Sequence, residues 1–293
     1  MSFPFRDEIE ILNAAVRAST GGTFVQLSDG ITHYEIGGSE ASAPVILIHG
    51  FSVPSFIYDP TFKFLSQAGL QILRYDLFGR GLSDRPPVRN NLDFFLRQLT
   101  ELIEALRLIR KIHLVGLSMG GLIASAFAAR RPERIASLVL IDPSGAKALD
   151  DSWALRFARI PVLSEIVFGQ LGERILVNSA AKDLYGPVLV ARLQEQFRLQ
   201  MRYKGFTRSI LSTIRNGMLG AHLDIYRALG KLDLPTLLFW GRDDRTIPFE
   251  QSDLLRQTIP NVEFHVIEDC GHIPHYEKPN EVNPILLNFL RRS

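Results

Sequence analysis

Ser118 stands in Gly116-Leu117-Ser118-Met119-Gly120, a G-x-S-x-G pentapeptide with a context on both sides. The run Ile112 to Val115 before it is β-branched and aliphatic and reads as a buried strand. Small and apolar residues follow at helical spacing, from Gly121 and Leu122 through Ala124 to Phe127 and Ala128. A serine between a strand and a helix sits on a turn so tight that only glycine fits beside it, and that turn lifts the hydroxyl clear of the sheet. The helix N-terminus beneath supplies backbone N–H groups and the positive end of a dipole. The chemistry these residues could do is nucleophilic attack. A serine hydroxyl is a poor nucleophile at neutral pH, so it needs a base in reach and a group to orient that base.

Seven histidines are available as the base. His33, His113 and His265 fall inside strand-like runs, His222 lies in a helical stretch, and His49 precedes Gly50, where it would shape a turn. His272 follows the last strand, in Glu268-Asp-Cys-Gly-His272, and is the expected base, with His275 in reserve. The acid should also follow a strand. Asp243 and Asp244 in Trp240-Gly-Arg-Asp243-Asp244-Arg-Thr-Ile-Pro248 qualify, as does Asp142. An aspartate in a turn can equally serve only local backbone N–H groups.

These residues need a scaffold that brings strand ends together. Residues 1–22 read as an extension with a peripheral helix up to about Gly22. Thr23 to Leu27 and Ile31 to Ile36 flank Ser28-Asp29-Gly30 as a hairpin. Val45 to Ile48, Gln71 to Tyr75, Ile112 to Val115 and Ser137 to Ile141 are strands, alternating with helices near Thr61 to Ala68 and from Leu92 to Leu106. The last of these keeps apolar residues at helical spacing throughout. Strands alternating with helices imply an α/β fold, a parallel sheet covered on both faces. From about Gly145 to Lys231 the alternation stops and only helical patterns appear, with thirteen basic against seven acidic residues. It resumes with Thr236 to Trp240 and Val262 to Ile267. The chain therefore divides into a core (1–144), an inserted helical cap (145–232) and a second part of the core (233–293). The cap is expected over the carboxyl edge of the sheet, where open α/β sheets bind ligands.

Composition narrows the function. At 46% hydrophobic and 22% charged residues, the 293-residue chain is an ordinary globular one. A net charge of +2 is too mild to argue for a nucleic-acid partner. One cysteine, Cys270, excludes an internal disulfide and points to a reducing, cytoplasmic compartment. The acidic N-terminus lacks the pattern of a signal peptide, and no apolar run is long enough for a membrane span. No His/Cys spacing predicts a metal site, and Gly79-Arg80-Gly81 is not a dinucleotide-binding motif, so no cofactor is expected.

His49-Gly50-Phe51, Asp76-x-x-Gly79-x-Gly81-x-Ser83, Gly116-Leu-Ser118-Met-Gly120-Gly121, Gly241-x-x-Asp244-x-x-x-Pro248 and Gly271-His272 occur in this order. Together they resemble the α/β-hydrolase superfamily, in its capped serine esterase and lipase type, over nearly the whole chain from Thr23. The resemblance implies a mostly parallel eight-stranded sheet with the cap inserted after strand 6. It selects Asp244 as the acid and makes the backbone N–H groups of Phe51 and Met119 the oxyanion hole. It implies hydrolysis of a small-molecule ester with a small or medium apolar acyl group, through a Ser118–His272–Asp244 triad and an acyl-enzyme. Dehalogenases and epoxide hydrolases of this fold carry aspartate where Ser118 stands. Carbon–carbon hydrolases of meta-cleavage products share the triad and are the alternative, although their glycine-rich loop differs from His49-Gly-Phe-Ser-Val-Pro54. The loop also looks like that of cofactor-free haloperoxidases and perhydrolases. A non-catalytic ligand receptor on the same scaffold is the remaining alternative.

Overall fold

The computed structural model describes residues 5–149, 153–180 and 183–293. Eight strands form one sheet in the order β1-β2-β4-β3-β5-β6-β7-β8. They are β1 (Thr23–Leu27), β2 (Gly30–Gly37), β3 (Val45–Ile48), β4 (Ile72–Tyr75), β5 (Ile112–Leu117), β6 (Ile135–Ile141), β7 (Thr236–Gly241) and β8 (Glu263–Ile267). The hairpin strand β2 runs antiparallel to β1 and β4, and the remaining pairs are parallel. Every residue of β3, β4, β5 and β7 is buried. This is why those strands read as unbroken apolar runs rather than as alternating ones.

Alternate side chains of each strand feed two cores. Ile46, Ile48, Leu114, Leu138 and Leu140 face α3 (Leu92–Ala105) and α4 (Met119–Arg130). Val45, Leu47, Val115, Val139 and Phe239 face α2 (Asp59–Gln67) and the C-terminal helix Pro279–Arg292. The first ten residues of α4 are all buried, so the helix shows no polar face in its sequence.

Between β6 and β7 the chain forms α5 (Trp153–Ala158), α6 (Leu163–Ala180), α7 (Pro187–Met201), α8 (Phe206–Arg215) and α9 (Leu223–Leu229). Arg215 holds part of this segment together, with Nη1 2.6 Å from Glu165 at the start of α6 and Nε donating to Ala158 O at 3.0 Å. The last helix, α9, packs on α4, with Tyr226 donating to the carbonyl of Ser144. α9 is therefore part of the core on that face of the sheet.

Among its described residues the N-terminal extension is helical only in α1 (Ala14–Thr20), where Asn13 caps the helix start. The residues before α1 lie against the helical segment instead. Glu10 bridges to Tyr203, and the Glu8 carboxylate accepts from the Gly205 and Thr207 N–H groups at 2.6 Å each. A carboxylate at a helix start satisfies orphan donors and complements the dipole, so the extension pins the N-terminus of α8. No helix among the described residues is long and apolar enough to cross a membrane.

Candidate active site

Four parallel strands deliver the expected site residues from their carboxyl ends: β3 leads to Phe51, β5 to Ser118, β7 to Asp244 and β8 to His272. Ser118 has φ 53° and ψ −119°, a backbone conformation that costs an ordinary residue strain. The surroundings enforce it. A Cβ on Gly120 would stand 2.1 Å from the carbonyl oxygen of Ile48, so β3 and the start of α4 approach more closely than any side chain allows. The Ser118 N–H donates to Ile141 O at 2.9 Å, and its carbonyl accepts from Gly121 and Ser144. The turn is thus tied into the sheet and the helix at once.

The loops carrying Asp244 and His272 touch through their backbones. A Cβ on Gly241 would lie 1.9 Å from Gly271 O, and the Asp243 N–H donates to Cys270 O at 2.9 Å. This close approach sets His272 Nδ1 2.7 Å from Asp244 Oδ2, with both side chains buried. The other Asp244 oxygen accepts from the Thr246 and Ile247 N–H groups at 2.7 and 2.9 Å. With one carboxylate oxygen fixed by the turn, the other is aimed at the ring. Burial by itself lowers the pKa of His272. The Asp244 carboxylate, aided by Asp183 and Glu277, outweighs it and raises the imidazole above its ordinary value.

The rival candidates have other places. Asp243 is exposed, its backbone engaged with Cys270 rather than its side chain with the base. His275 is fully buried and stacks on Tyr58 with ring centroids 4.3 Å apart; burial and the neighbouring His272 push its pKa down to about 3. Asp142 comes nearest to a role. One of its oxygens accepts from the Gly241 N–H at 2.9 Å, and it lies beside Asp244. Burial, then the Asp244 charge, hold its carboxyl well above the ordinary range. Ligand atoms of Asp142, Asp244 and His272 fall within 4.8 Å of one another. No sequence spacing discloses this grouping, which the short carboxylate–imidazole hydrogen bond accounts for.

Ser118 and His272 open on one cavity of about 530 Å³. Phe51, Leu117, Phe168, Ile175, Ile214 and Leu219 give it apolar walls, and Lys147, Asp183, Arg245 and Gln251 add polar ones. Of the other apolar residues in the helical segment, Leu155 and Leu176 also line it. Leu184 and Met218 are buried in the cores, Val167 is half-buried, and Ile160, Val162 and Leu163 are exposed.

The loop bearing Phe51 is braced by side chains that sequence reasoning did not single out as functional. His49 donates from Nδ1 to Gly50 O and accepts the Leu77 N–H on Nε2, both at 2.9 Å; burial pushes its pKa down to about 4, so the ring is neutral. Gln200 donates to Ser52 O at 2.7 Å. Arg80 donates to Phe51 O at 2.7 Å. The Asp76 carboxylate, held ionised by His33 and by N–H donors against its burial, accepts from Ser55 N and Oγ at 2.9 and 2.7 Å. The Asp76-to-Ser83 motif is legible in the sequence, but nothing in it announces which carbonyls its side chains reach. The Phe51 and Met119 N–H groups themselves make no hydrogen bond among the described residues.

Comparison with known proteins gives the family. The model of the α/β hydrolase fold family matches residues 43–279, and the chain belongs to that family. Its relatives over most of its length are hydrolases of more than one kind. Monoacylglycerol lipase ABHD6 of Homo sapiens is 25% identical, covering 88% of this chain and 78% of the relative. The 2-hydroxy-6-oxononadienedioate/2-hydroxy-6-oxononatrienedioate hydrolase of Cupriavidus pinatubonensis is 29% identical, covering 95% and 99%. Among solved structures, a thermophilic esterase from Thermogutta terrifontis superposes with a TM-score of 0.78 at 26% identity, covering 92% and 98% of the two chains.

Proposed function

We propose that the protein is a serine hydrolase that cleaves carboxylic esters with small or medium apolar acyl groups. The observation that carries this reading is the meeting of Ser118, on its strained turn, with the buried His272–Asp244 pair in one largely apolar cavity. His272 takes the Ser118 proton as Oγ attacks the ester carbonyl. The tetrahedral oxyanion is held by the Phe51 and Met119 N–H groups, which have no competing acceptor among the described residues. His272 then returns the proton to the leaving alcohol, and water repeats the sequence on the acyl-enzyme. Asp244 keeps the imidazole in the tautomer whose Nε2 can accept. Helices α5 to α8 act as the cap and supply the acyl-facing wall through Phe168, Ile175 and Ile214. The chemistry calls for no metal or cofactor.

Cleavage of a carbon–carbon bond in a dienoic ring-fission ketone is the second reading, favoured by the relative from Cupriavidus pinatubonensis. One experiment separates the readings. Purified protein is treated with a fluorophosphonate and assayed on p-nitrophenyl esters of graded acyl length and on a dienoic ring-fission ketone. Labelling of Ser118 with an acyl burst on the esters is the expected result. Labelling with preference for the ketone supports the second reading. Neither labelling nor a burst would mean a binding protein on a hydrolase scaffold.

A further inference from the structure

Arg80 is fully buried, yet among the described residues no carboxylate faces its guanidinium. Its partners are neutral oxygens: Nε donates to Phe51 O at 2.7 Å, Nη1 to Phe78 O at 3.2 Å and to Ser209 Oγ at 3.0 Å, and Nη2 to Thr213 Oγ1 at 2.9 Å. The rings of Phe51 and Phe95 lie 5.5 and 5.7 Å from its central carbon. Burial, with Arg85 adding to it, pushes its pKa down to about 9, which leaves it charged at neutral pH. A buried cation without a counter-ion is expensive, and packing alone would be served as well by an apolar side chain. The charge needs a use.

Its neighbours suggest one. Phe51 is the residue whose N–H is assigned to the oxyanion, and Ser209 and Thr213 lie on α8, whose next residue, Ile214, lines the cavity. Resting on the serine-hydrolase reading above, we propose that Arg80 is a positioning residue that fixes the Phe51 loop to α8 and holds an unneutralised positive charge behind the oxyanion hole. The hydrogen bonds set where the loop stands. The field of the charge favours the state in which the carbonyl oxygen is negative over the state in which it is neutral. The same contact ties the cap to the catalytic loop. α8 is anchored at its N-terminus by Glu8, and along its length it presents two hydroxyls to Arg80.

The test uses the full-length protein, p-nitrophenyl butyrate and a trifluoromethyl ketone that adds to the serine as a tetrahedral adduct. Labelling of wild-type Ser118 by a fluorophosphonate comes first, since its failure sinks the parent reading rather than this one. Arg80→Met is expected to lower kcat about 100-fold and to weaken the ketone by a similar factor, with KM changed little. Arg80→Lys keeps the charge without the planar fork and should return to within about tenfold of wild type. Thr213→Val, which loosens only the far end, should cost about threefold in kcat. A folded Arg80→Met with kcat and ketone affinity within about twofold of wild type, or with its loss in KM alone, overturns the proposal. If Arg80→Met does not fold, Arg80→Lys and Thr213→Val decide, and wild-type kcat in both overturns it.

Discussion

The loops at the carboxyl ends of the strands and the helices between β6 and β7 are built on different principles. In the loops, backbone meets backbone. Gly120 against Ile48 O and Gly241 against Gly271 O leave no room for a Cβ, and the Asp244 carboxylate is fixed by hydrogen bonds from main-chain N–H groups. In the helical segment, side chains meet side chains, Arg215 clamps α6, and apolar residues such as Ile160, Val162 and Ile166 remain exposed. Backbone contacts tolerate almost no substitution, whereas amphipathic helices can exchange one apolar residue for another at modest cost. Chemistry is therefore expected to be held by the loops and substrate choice by the helices, and substitutions on each side can test that division.

The largest effect should come from Ser118→Ala. It removes the attacking oxygen without disturbing a cavity wall, and kcat on p-nitrophenyl butyrate should fall by about 10⁵-fold or more while thermal stability holds. Residual turnover within a hundredfold of wild type would refute the assignment. Asp244→Asn should follow at about 10⁴-fold, because the amide no longer fixes the imidazole tautomer. Asp142→Asn, measured alongside, should lose far less, since burial already disfavours the charged form of Asp142 and its turn contact to Gly241 survives.

The pH profile sharpens the comparison further. His272 must be neutral to accept a proton, and its pKa is raised above the ordinary value. Hence kcat/KM should climb with pH along an acid limb centred above about 6.5. An acid limb below that value would mean that burial, rather than the Asp244 charge, dominates the ring. On the helical side, Phe168→Ala should leave activity on acetate esters near wild type and shift preference among longer acyl chains by about tenfold, read from kcat/KM across the panel. The smallest effect is expected from His275→Phe, which keeps the stack on Tyr58 and should alter kcat by less than about twofold. A large loss there would bring the reserve histidine back as a candidate base.

Much of the scaffold is legible because short local patterns encode it. The all-apolar runs of β3 and β5 announce strands covered on both faces, and the glycines around Ser118 announce a turn whose conformation other residues resist. His272 stands out because it follows a strand in a loop with its own glycine, whereas only the family resemblance separates Asp244 from Asp243 and Asp142. Arg80 illustrates what stays hidden. Its partners Ser209 and Thr213 lie more than a hundred residues away, on a helix whose pattern predicts only that one face is buried. The seat of α9 on α4 is equally silent, since an amphipathic helix does not name the surface it covers.

By itself, the sequence determined the order of strands and helices, pointed to the family, and offered Ser118 as the expected nucleophile and His272 as the expected base. Local conformational preference and periodicity are properties of contiguous residues, and they survive without the fold. Only the tertiary structure decided which aspartate faces His272, which carboxyl burial pushes up, what braces the Phe51 loop and which apolar side chains line the cavity. Those outcomes depend on distance and desolvation between residues far apart in the chain, and neither quantity exists until the chain has folded.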